Sequence, residues 1–572
     1  MPKDFLPEKK KHGIYYTPPE ASKILCEWAI KSSSDSILEP SFGACGFLES
    51  SCVRLNELGN PLPSLQLFGC DIDPKAFNGY LHSKFSDPNI LTRFVEGDFL
   101  KKKPADFPID KFDIVIGNPP YVSHHNMSPD QKKSCAEIAS LLDCRIGSRA
   151  SLWAYFVLHG LKFLKKDGRI AWVLPSSFLH AKYAEVIKEY ISLNFARSII
   201  IQVGQRLFAS EGTDESTAIL LAEGWRTGDN DKSLKIEFAQ TLEELKSIVS
   251  TWKSNRAENN NYRNRSAYSL LNSSVNDVLE TIESEKKVVL LGDALEILIG
   301  IVTGDNSFFI LDRLTANAHK LLDHSLTPVF SRFSMASGLS FTHSELKELT
   351  SENFRCLLVD TSKTKKFNPE LENYLARFTE LKKQKNVTFK KRKVWHQPND
   401  GRVPAAFFSY MHHQGPRLVI NEAAVNCTNT IHRVFLKKIE SGKAIVSPTE
   451  LKLFAISLQT TYSQLSAELE GRVYGSGALK HEPSEAKRIK VLTNAKLSER
   501  QIERAYQIMD FLFRNSRYDD ARRIADKLLM GGLEKKANRP IISVLEKALQ
   551  EARSRRYGSK AGNNVSKQKS QI

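Results

Sequence analysis

The chain has 572 residues, more than one hydrophobic core usually serves, which predicts two or three domains. Its formal net charge of +17 indicates a polyanionic partner, although a basic protein without such a partner is the alternative. The eight cysteines include no Cys-x-x-Cys pair, which argues against a zinc ribbon or a dithiol redox motif. The N-terminus lacks an apolar signal segment and no later run approaches membrane-span length, so we expect a cytosolic protein with reduced cysteines.

The first predicted element is a helix that follows the segment Tyr16-Thr17-Pro18-Pro19. Apolar residues recur at helical spacing over residues 21–30, with Thr17 as the expected N-cap and Pro18 at the first helical position. A helix start carries free N–H groups and the positive end of the helix dipole, so it is a natural seat for a carboxylate. A simple cap without a ligand is the alternative.

A strand, a glycine-bearing loop and a new helix follow over residues 36–48. Glu39 ends the strand, and Gly43 and Gly46 let the loop turn tightly and approach a ligand. The second strand ends at Asp71, where a two-stranded nucleoside site places the carboxylate that binds both ribose hydroxyls. This order predicts a nucleoside-binding crevice, with an ordinary sheet turn as the alternative.

Two further strand ends carry polar and aromatic groups. After the third strand, Asp98 can accept the amino group of an adenine and Phe99 can lie on its ring. The β-branched run 114–116 predicts a central parallel strand, which Asn118-Pro-Pro-Tyr121 terminates. The Asn118 side-chain oxygen and a proline carbonyl are acceptors and Tyr121 is a stacking ring, a set that suits an exocyclic NH2 on a planar base. A proline turn with a packed tyrosine is the alternative.

The alternation of helices and strands continues to about Trp225. The predicted elements are a helix over 152–164, a strand over 169–175, a helix over 176–190 and a closing pair of strands over 198–203 and 216–222. Phe208, on the loop that joins the closing strands, can reach the crevice. The pattern predicts an α/β domain with a mostly parallel, Rossmann-like sheet over residues 1–225.

The remaining chain divides by composition. Residues 226–284 are polar and predict a linker or a small insertion, residues 285–550 a second folded region, and residues 551–572 a basic disordered tail. In the second region, Lys390 to Lys393 beside Trp395 can neutralise phosphates, and a solvated charged face is the alternative.

With these motifs in this order, the chain resembles the gamma-type, TaqI-like N6-adenine DNA methyltransferases of bacterial type II restriction-modification systems. The likeness covers residues 12–225 and continues more loosely, with 300–306, 426–433 and 474–480 similar to segments of the family's recognition domains. It implies a class I S-adenosylmethionine-dependent methyltransferase fold with a C-terminal mixed α+β DNA-recognition domain. It further implies S-adenosylmethionine as the cofactor, no metal, double-stranded DNA as the partner, a flipped-out target adenine and a cognate restriction endonuclease. We expect a monomer.

The resemblance also implies roles for single residues. The catalytic set is Asn118, Pro119, Tyr121 and Phe208, with Phe208 the second ring that sandwiches the target base. The cofactor set is Tyr16, Thr17, Glu39, Ser41, Gly43, Asp71, Ile72, Asp98 and Phe99. Within it, Thr17 contacts the methionine carboxylate, and Glu39 with the loop 41–46 holds the amino-acid end. Asp71 binds the ribose, Ile72 lies against the adenine face, and Asp98 with Phe99 fixes the adenine edge.

Two departures from the family pattern concern the cofactor contacts only. The loop 41–46 is less glycine-rich than in many relatives, and Asp71 stands where some have Glu. The tetrapeptide 118–121 also occurs in methyltransferases that modify a glutamine amide in release factors, so a protein-glutamine or RNA N-methyltransferase is the rival enzyme. The large basic C-terminal region favours DNA. A DNA-binding specificity protein that keeps an inactive cofactor fold is the non-enzyme alternative.

Overall fold

A computed structural model describes most of the chain. The chain divides into two units. The first comprises most residues up to Leu271, and the second most residues from Asn272 to Arg553. The described residues are 17–85, 87–140, 146–147, 149–204, 217–226, 234–239, 241–254, 271, 273–362, 367–438, 444–473, 477–493, 497–537 and 540–557. Within these ranges, no helix has both the length and the apolar character needed to cross a membrane.

The first unit is built on an eight-stranded sheet. Its strands are β1 (Ile37–Glu39), β2 (Leu67–Asp71), β3 (Phe94–Glu96), β4 (Phe112–Gly117), β5 (Leu164–Pro175), β6 (Phe195–Val203), β7 (Thr217–Trp225) and β8 (Leu234–Ala239). Their order is β3-β2-β1-β4-β5-β7-β6-β8, and only β7 runs antiparallel to its neighbours. The predicted α/β fold with a mostly parallel sheet is confirmed.

Helices cover this sheet. The longer ones are α1 (Pro19–Ala29), α2 (Gly46–Glu57), α3 (Pro129–Ser140), α4 (Leu152–Gly160), α5 (Lys182–Asn194) and α6 (Leu242–Ser254). The short helical segments are Pro63–Gln66, Ala76–Leu81, His82–Lys84, Pro88–Leu91, Phe99–Lys101, Pro104–Asp106, His124–Asn126, Leu161–Phe163 and Ser177–His180.

Strand β4 lies between two hydrophobic cores, which explains its continuous apolar run. Val115 belongs to one buried cluster, whereas Ile114 and Ile116 belong to the other. Successive side chains of a strand point to opposite faces of the sheet, so a strand covered on both faces needs apolar residues at every position. The chain leaves the core after Gly117, where Asn118 and the two prolines begin the loop.

Two predicted helices end elsewhere in the structure. The helix expected over 152–164 gives way to a turn after Gly160, because β5 already begins at Leu164. Leu164 pairs with Phe112, but the next pair is Ile114 with Arg169, so the Lys-Lys-Asp-Gly segment bulges out of β5. The helix expected over 176–190 consists of two helices, Ser177–His180 and α5.

The predicted linker over 226–284 contains regular structure instead. Strand β8 pairs in parallel with β6, and α6 follows it. The Trp252 ring of α6 lies 5.4 Å from the Trp28 ring of α1, centroid to centroid. The helix Ser273–Glu285 begins in this range and ends one residue beyond it. The last described helix, Ile541–Tyr557, extends past the predicted start of the tail. Short elements between polar stretches carry too little periodicity to stand out in the sequence.

The second unit is a mixed α+β structure. Its strands are β9 (Lys287–Leu290), β10 (Leu295–Ile299), β11 (Ile310–Leu311), β12 (Leu326–Phe330), β13 (Ser340–Phe341), β14 (Leu357–Val359), β15 (Ala406–Ser409), β16 (Met411–His412), β17 (Leu418–Asn421), β18 (Asn426–Cys427), β19 (Ile431–Leu436), β20 (Arg472–Val473), β21 (Leu479–Lys480) and β22 (Lys490–Thr493). They form sheets ordered β10-β19-β15-β17-β13, β11-β14-β12-β18, β16-β21-β20 and β22-β9.

Helices surround these sheets. They are Ser273–Glu285, Leu291–Ala294, Asn306–Phe309, Arg313–Ala318, Asp323–Ser325, Phe333–Met335, His343–Ser351, Pro369–Ala376, Glu380–Lys385, Val387–Lys390, Pro448–Ser457, Thr461–Glu470, Pro483–Arg488, Glu499–Arg514, Tyr518–Met530, Leu533–Ala537 and Ile541–Tyr557.

Two of the segments that resemble recognition domains, 300–306 and 426–433, meet inside the second unit, whereas residues 474–476 of the third lie outside the described residues. The Ile301 N–H donates to the Cys427 carbonyl at 2.7 Å, and a Cβ added to Gly300 would lie 2.1 Å from the Thr428 carbonyl oxygen. His432 shares a 2.7 Å hydrogen bond with the carbonyl of His481, directly after the third segment. The contacts are buried, so these segments hold the unit together.

We expect the catalytic unit to need residues beyond 225 for its stability. A fragment of residues 1–271 should unfold cooperatively, whereas a fragment of 1–225 should aggregate or melt at lower temperature, because it leaves the edge of β6 unpaired and Trp28 uncovered. Circular dichroism melts measure the difference. Trp252→Ala in the longer fragment is the matched control and should lower its stability by about 3–5 kcal/mol. Equal melting of both fragments would contradict the assignment of β8 and α6 to this unit.

Candidate active site

Polar side chains collect at the carboxyl edge of the central strands. Glu39 ends β1, Asp71 ends β2, Asp98 follows β3 and Asn118 follows β4. Because β1 lies between β2 and β4 and all four strands are parallel, these ends face one crevice. Open α/β sheets bind ligands at this edge.

The loop between β1 and α2 is held by Asp71. The Gly43 N–H donates to Asp71 Oδ2 at 2.8 Å, and the Asp73 N–H donates to Asp71 Oδ1 at 2.9 Å. Gly43 and Cys45 adopt left-handed backbone conformations, with φ of 48° and 68°, and α2 begins at Gly46. A Cβ added to Gly46 would meet no atom within 4 Å, so space lies in front of the helix start.

Glu39 is a buried carboxylate without a cationic neighbour in the described structure. It is 2% exposed, and its Oε2 atom has no hydrogen-bond partner among the described residues. Burial raises the pKa of Glu39 well above its ordinary value, the charge of Asp71 raises it further, and a hydrogen bond from the Leu48 main chain lowers it only in part. Burial also raises the pKa of Asp71, against the hydrogen bonds from Asp73 and Gly43.

This pair of acids, Glu39 buried and Asp71 half-buried, fits a ligand that brings positive charge and hydrogen-bond donors. S-adenosylmethionine carries an ammonium, a sulfonium and two ribose hydroxyls, so the carboxylate acceptors of the crevice fit that cofactor. Ile72 supports the fit because it is 65% exposed directly after Asp71, where an apolar side chain can lie on a flat ring.

Asn118 is held at both its side chain and its main chain. Its Nδ2 donates to Thr17 Oγ1 at 3.3 Å, and the Ser41 hydroxyl donates to the Asn118 carbonyl oxygen at 3.2 Å. Pro119 is buried, and its carbonyl accepts no hydrogen bond from the described part of the chain. Tyr121 is half-buried and packs against the core beside α4. The structure therefore brings Thr17, Ser41 and Asn118 together.

Thr17 does not cap α1 as predicted. The N-cap is Pro18, the helix begins at Pro19, and no side chain caps its first turn. The Thr17 hydroxyl contacts the amide of Asn118 instead. Proline has no side-chain acceptor, so the first main-chain N–H groups of α1 have no side-chain cap that could compete with a ligand.

The side chains after β3 divide between the crevice and the core. Asp98 Oδ1 accepts a hydrogen bond from the Leu100 N–H at 3.0 Å, which caps a short helical turn and leaves Oδ2 for a ligand. Phe99 was predicted to cover the adenine, but it is 1% exposed and its ring packs against His159, Phe156 and Phe163. Its ring belongs to the core because an apolar side chain gains more by full burial there.

Two predicted site residues, Tyr16 and Phe208, lie outside the described residues. Sequence reasoning missed that Thr17 and Ser41 both contact Asn118. Thr17 lies 101 positions and Ser41 lies 77 positions before Asn118 in the chain, so no local sequence pattern indicates these contacts. Where the chain is described, no group of three or more His, Cys, Asp or Glu side chains is placed to hold a metal ion.

The sheet order and its polar strand ends define a class I S-adenosylmethionine-dependent methyltransferase. Residues 3–265 match the family model described as N-6 DNA methylase, and residues 263–530 match the model of the C-terminal domain of the type II methyltransferase M.Eco57I. The two models together account for nearly the whole chain. It belongs to the N6-adenine DNA methyltransferases of type II restriction-modification systems, with the motif order of the gamma type and S-adenosylmethionine as methyl donor.

Relatives of the same kind align along most of the chain. The type II methyltransferase M.AccI of Acinetobacter calcoaceticus is 22% identical over 491 residues, which cover 84% of this chain and 85% of that protein. M.BstVI of Geobacillus stearothermophilus is 22% identical over 444 residues, 69% of this chain and 75% of that protein. The type IIL restriction-modification enzyme MmeI, solved in complex with DNA, covers 94% of this chain and 75% of its own at 11% identity and a TM-score of 0.51, a likeness of fold alone.

We expect Glu39→Gln to stabilise the protein without cofactor while weakening cofactor binding. The raised pKa means that the folded state holds the proton more tightly than the unfolded chain, so folding loses stability as pH rises from the ordinary carboxyl value to the raised one. The neutral amide removes that cost and should raise the free energy of unfolding at neutral pH by about 1–2 kcal/mol. Thermal melts without ligand test this part.

The same variant should bind S-adenosylmethionine about ten- to a hundredfold more weakly, because a hydrogen bond to a charged group is lost. In the wild type, affinity measured by calorimetry should increase as pH rises through the raised pKa, and Glu39→Gln should flatten this dependence. Glu57→Gln, at an exposed glutamate of α2, is the matched control. A lower melting temperature for Glu39→Gln than for the wild type would contradict the inference that the charge of Glu39 destabilises the protein without cofactor.

Proposed function

We propose that Asn118 and the Pro119 carbonyl of this DNA adenine-N6 methyltransferase activate the target amine. The observation that carries the proposal is the position of Asn118, at the end of the central strand and fixed by Thr17 and Ser41. The N6 lone pair is delocalised into the adenine ring, which makes the amine a poor nucleophile. Two acceptors that hold its hydrogens localise the lone pair on nitrogen.

In this proposal the protein acts by positioning the target amine against the methyl donor. When bound, S-adenosylmethionine supplies an electrophilic methyl group on a sulfonium. Asn118 and Pro119 orient the amine toward that methyl group, and positioning of this kind contributes at most about 7–11 kcal/mol. Because an adenine within a duplex cannot reach the crevice, the base must flip out, and stacking on Tyr121 offsets part of the few kcal/mol of unstacking. We place Phe208 on the opposite face of the base.

The remaining predicted residues are proposed to hold the cofactor. Glu39 and the loop that includes Ser41 and Gly43 lie at its amino-acid end, and Thr17, with the Tyr16 segment and the start of α1, at its carboxylate. Asp71 binds the ribose hydroxyls, Ile72 covers one face of the adenine, and Asp98 accepts at the adenine edge. Phe99 contributes core packing beneath this site, in place of the ring contact expected from the sequence.

Duplex DNA is the substrate that best suits the second unit. A protein-glutamine methyltransferase needs no basic region of this size, and the net charge of +17 suits a polyanion. We further propose that the chain acts as a monomer in the bacterial cytoplasm, and that it protects host DNA from a restriction endonuclease of the same specificity.

Asn118→Ala should lower the methylation rate by about 10²–10³-fold, the range typical for loss of one preorganised polar group. Binding of S-adenosylmethionine and of DNA should stay within about fivefold of wild type, since neither depends mainly on this amide. Tritium transfer to DNA under single-turnover conditions measures the rate, with RNA and release factor as alternative substrates. Normal turnover once DNA saturates the variant would refute the assigned role.

The basic stretch 390–393 divides into structural and exposed residues. Arg392 donates to the main-chain carbonyls of Thr303 and Trp395, at 2.9 and 3.0 Å, and also to that of Val302. The Trp395 ring packs in an aromatic cluster with Phe308, Phe309, Phe378 and Phe389. Lys390, Lys391 and Lys393 are exposed, and no acid of the described chain lies within ion-pair distance of them. We propose these three lysines as phosphate contacts.

Replacing Lys390, Lys391 and Lys393 by Gln should weaken DNA binding equally for all sequences. Each lost phosphate contact should reduce the slope of log affinity against log salt by about 1, so the triple variant should lose about 3. Fluorescence anisotropy over a salt series measures the slope, and Lys347→Gln, at an exposed lysine of another helix, is the control. An unchanged slope would assign the stretch to a solvated face.

A further inference from the structure

The Thr17 hydroxyl occupies a position between the catalytic amide and the first turn of α1. It accepts the hydrogen bond from Asn118 Nδ2 at 3.3 Å, because an amide nitrogen can only donate. The adjacent helix begins at Pro19 without a side-chain cap. One hydroxyl therefore lies beside both the group proposed to activate adenine and the helix end proposed to receive the methionine carboxylate.

A hydroxyl can accept and donate at the same time. Accepting from Asn118 uses one oxygen lone pair and leaves the hydroxyl hydrogen for another partner. Within the described part of the chain, that hydrogen has no acceptor. A chain of hydrogen bonds in which each group donates to the next is strengthened by mutual polarisation, so an anion bound at the hydroxyl also strengthens the bond to the amide.

We propose that Thr17 is a positioning residue that couples cofactor binding to the orientation of the Asn118 amide. The hydroxyl accepts from Asn118 and donates to the carboxylate of the methyl donor. Its bond to Nδ2 selects one of the two amide orientations, with the nitrogen toward Thr17 and Oδ1 directed elsewhere, as the acceptor role requires. Bound cofactor thereby favours the amide orientation that catalysis needs. The inference rests on the proposed function of Asn118.

Ser41 provides an internal comparison. Its hydroxyl donates to the Asn118 main-chain carbonyl at 3.2 Å, so its hydrogen is already used by the loop. Ser41 therefore holds the position of the loop, whereas Thr17 holds the orientation of the amide. Loss of Ser41 should therefore leave intact the coupling between cofactor binding and the orientation of the Asn118 amide.

The first test separates turnover from binding in the full-length protein. Thr17→Val keeps the shape and removes the hydroxyl, and it should lower kcat about 10–100-fold at saturating cofactor and DNA, with the KM for DNA unchanged. Thr17→Ser restores the hydroxyl and should return most of the rate. Ser41→Ala should lower kcat, but in that background Asn118→Ala should still weaken cofactor binding about threefold, because the Thr17 hydroxyl remains in place. A normal kcat for Thr17→Val at saturation would overturn the proposal.

The second test needs no turnover and is a double-mutant cycle on cofactor affinity. Calorimetry gives the Kd for S-adenosylmethionine in wild type, Thr17→Val, Asn118→Ala and the double variant. Asn118→Ala should weaken binding about threefold when Thr17 is present and have no effect in the Thr17→Val background. Equal effects in both backgrounds would overturn the coupling. The cycle reports on Thr17 even if DNA is not methylated, so its failure is distinguishable from failure of the proposed function.

Discussion

The crevice depends on two carboxyl groups, the buried Glu39 and the half-buried Asp71, whose charges no cation of the described chain balances. They end neighbouring strands, and the charge of Asp71 adds to the burial that raises the pKa of Glu39. Main-chain hydrogen bonds from Leu48 to Glu39, and from Gly43 and Asp73 to Asp71, offset part of the cost of ionising these carboxyl groups. A bound ligand with a sulfonium and an ammonium would balance these negative charges. The energetic cost that the two acids impose on the folded protein without ligand would then contribute to the affinity for the ligand.

The strand ends could be predicted from the sequence because the signal for each is local. An apolar run followed by Glu39, Asp71 or Asn118 marks both the strand and its polar end. The contacts among these residues could not be predicted, since they join positions far apart in the chain. Phe99 shows the limit most clearly: the same residue type suits an adenine face and a hydrophobic core, and only packing against α4 and the turn after it decides between them.

The second unit shows a different limit of sequence reasoning. The segments 300–306 and 426–433 contact each other through buried residues, and Gly300 is required there because a side chain would collide with the Thr428 carbonyl. Resemblance therefore detected the scaffold of the unit. Arg392 and Trp395 likewise serve the scaffold, although the basic stretch 390–393 beside Trp395 suggested phosphate contact. Side chains that contact DNA must lie at exposed positions, where the sequence can vary without a cost in packing. A resemblance between sequences therefore gives little information about such positions.

The catalytic group differs from the cofactor site in what it requires. In the proposed function, Asn118 acts by accepting hydrogen bonds, and because its amide does not titrate, its contribution would depend on orientation alone. Glu39 and Asp71, which we propose for the cofactor site, do titrate, and burial raises the pKa of each carboxyl group. The pH dependence of this enzyme at low cofactor concentration should therefore arise from Glu39 and Asp71. At saturating cofactor it should flatten, because a bound cation would hold both acids ionised and the role proposed for Asn118 involves no titrating group.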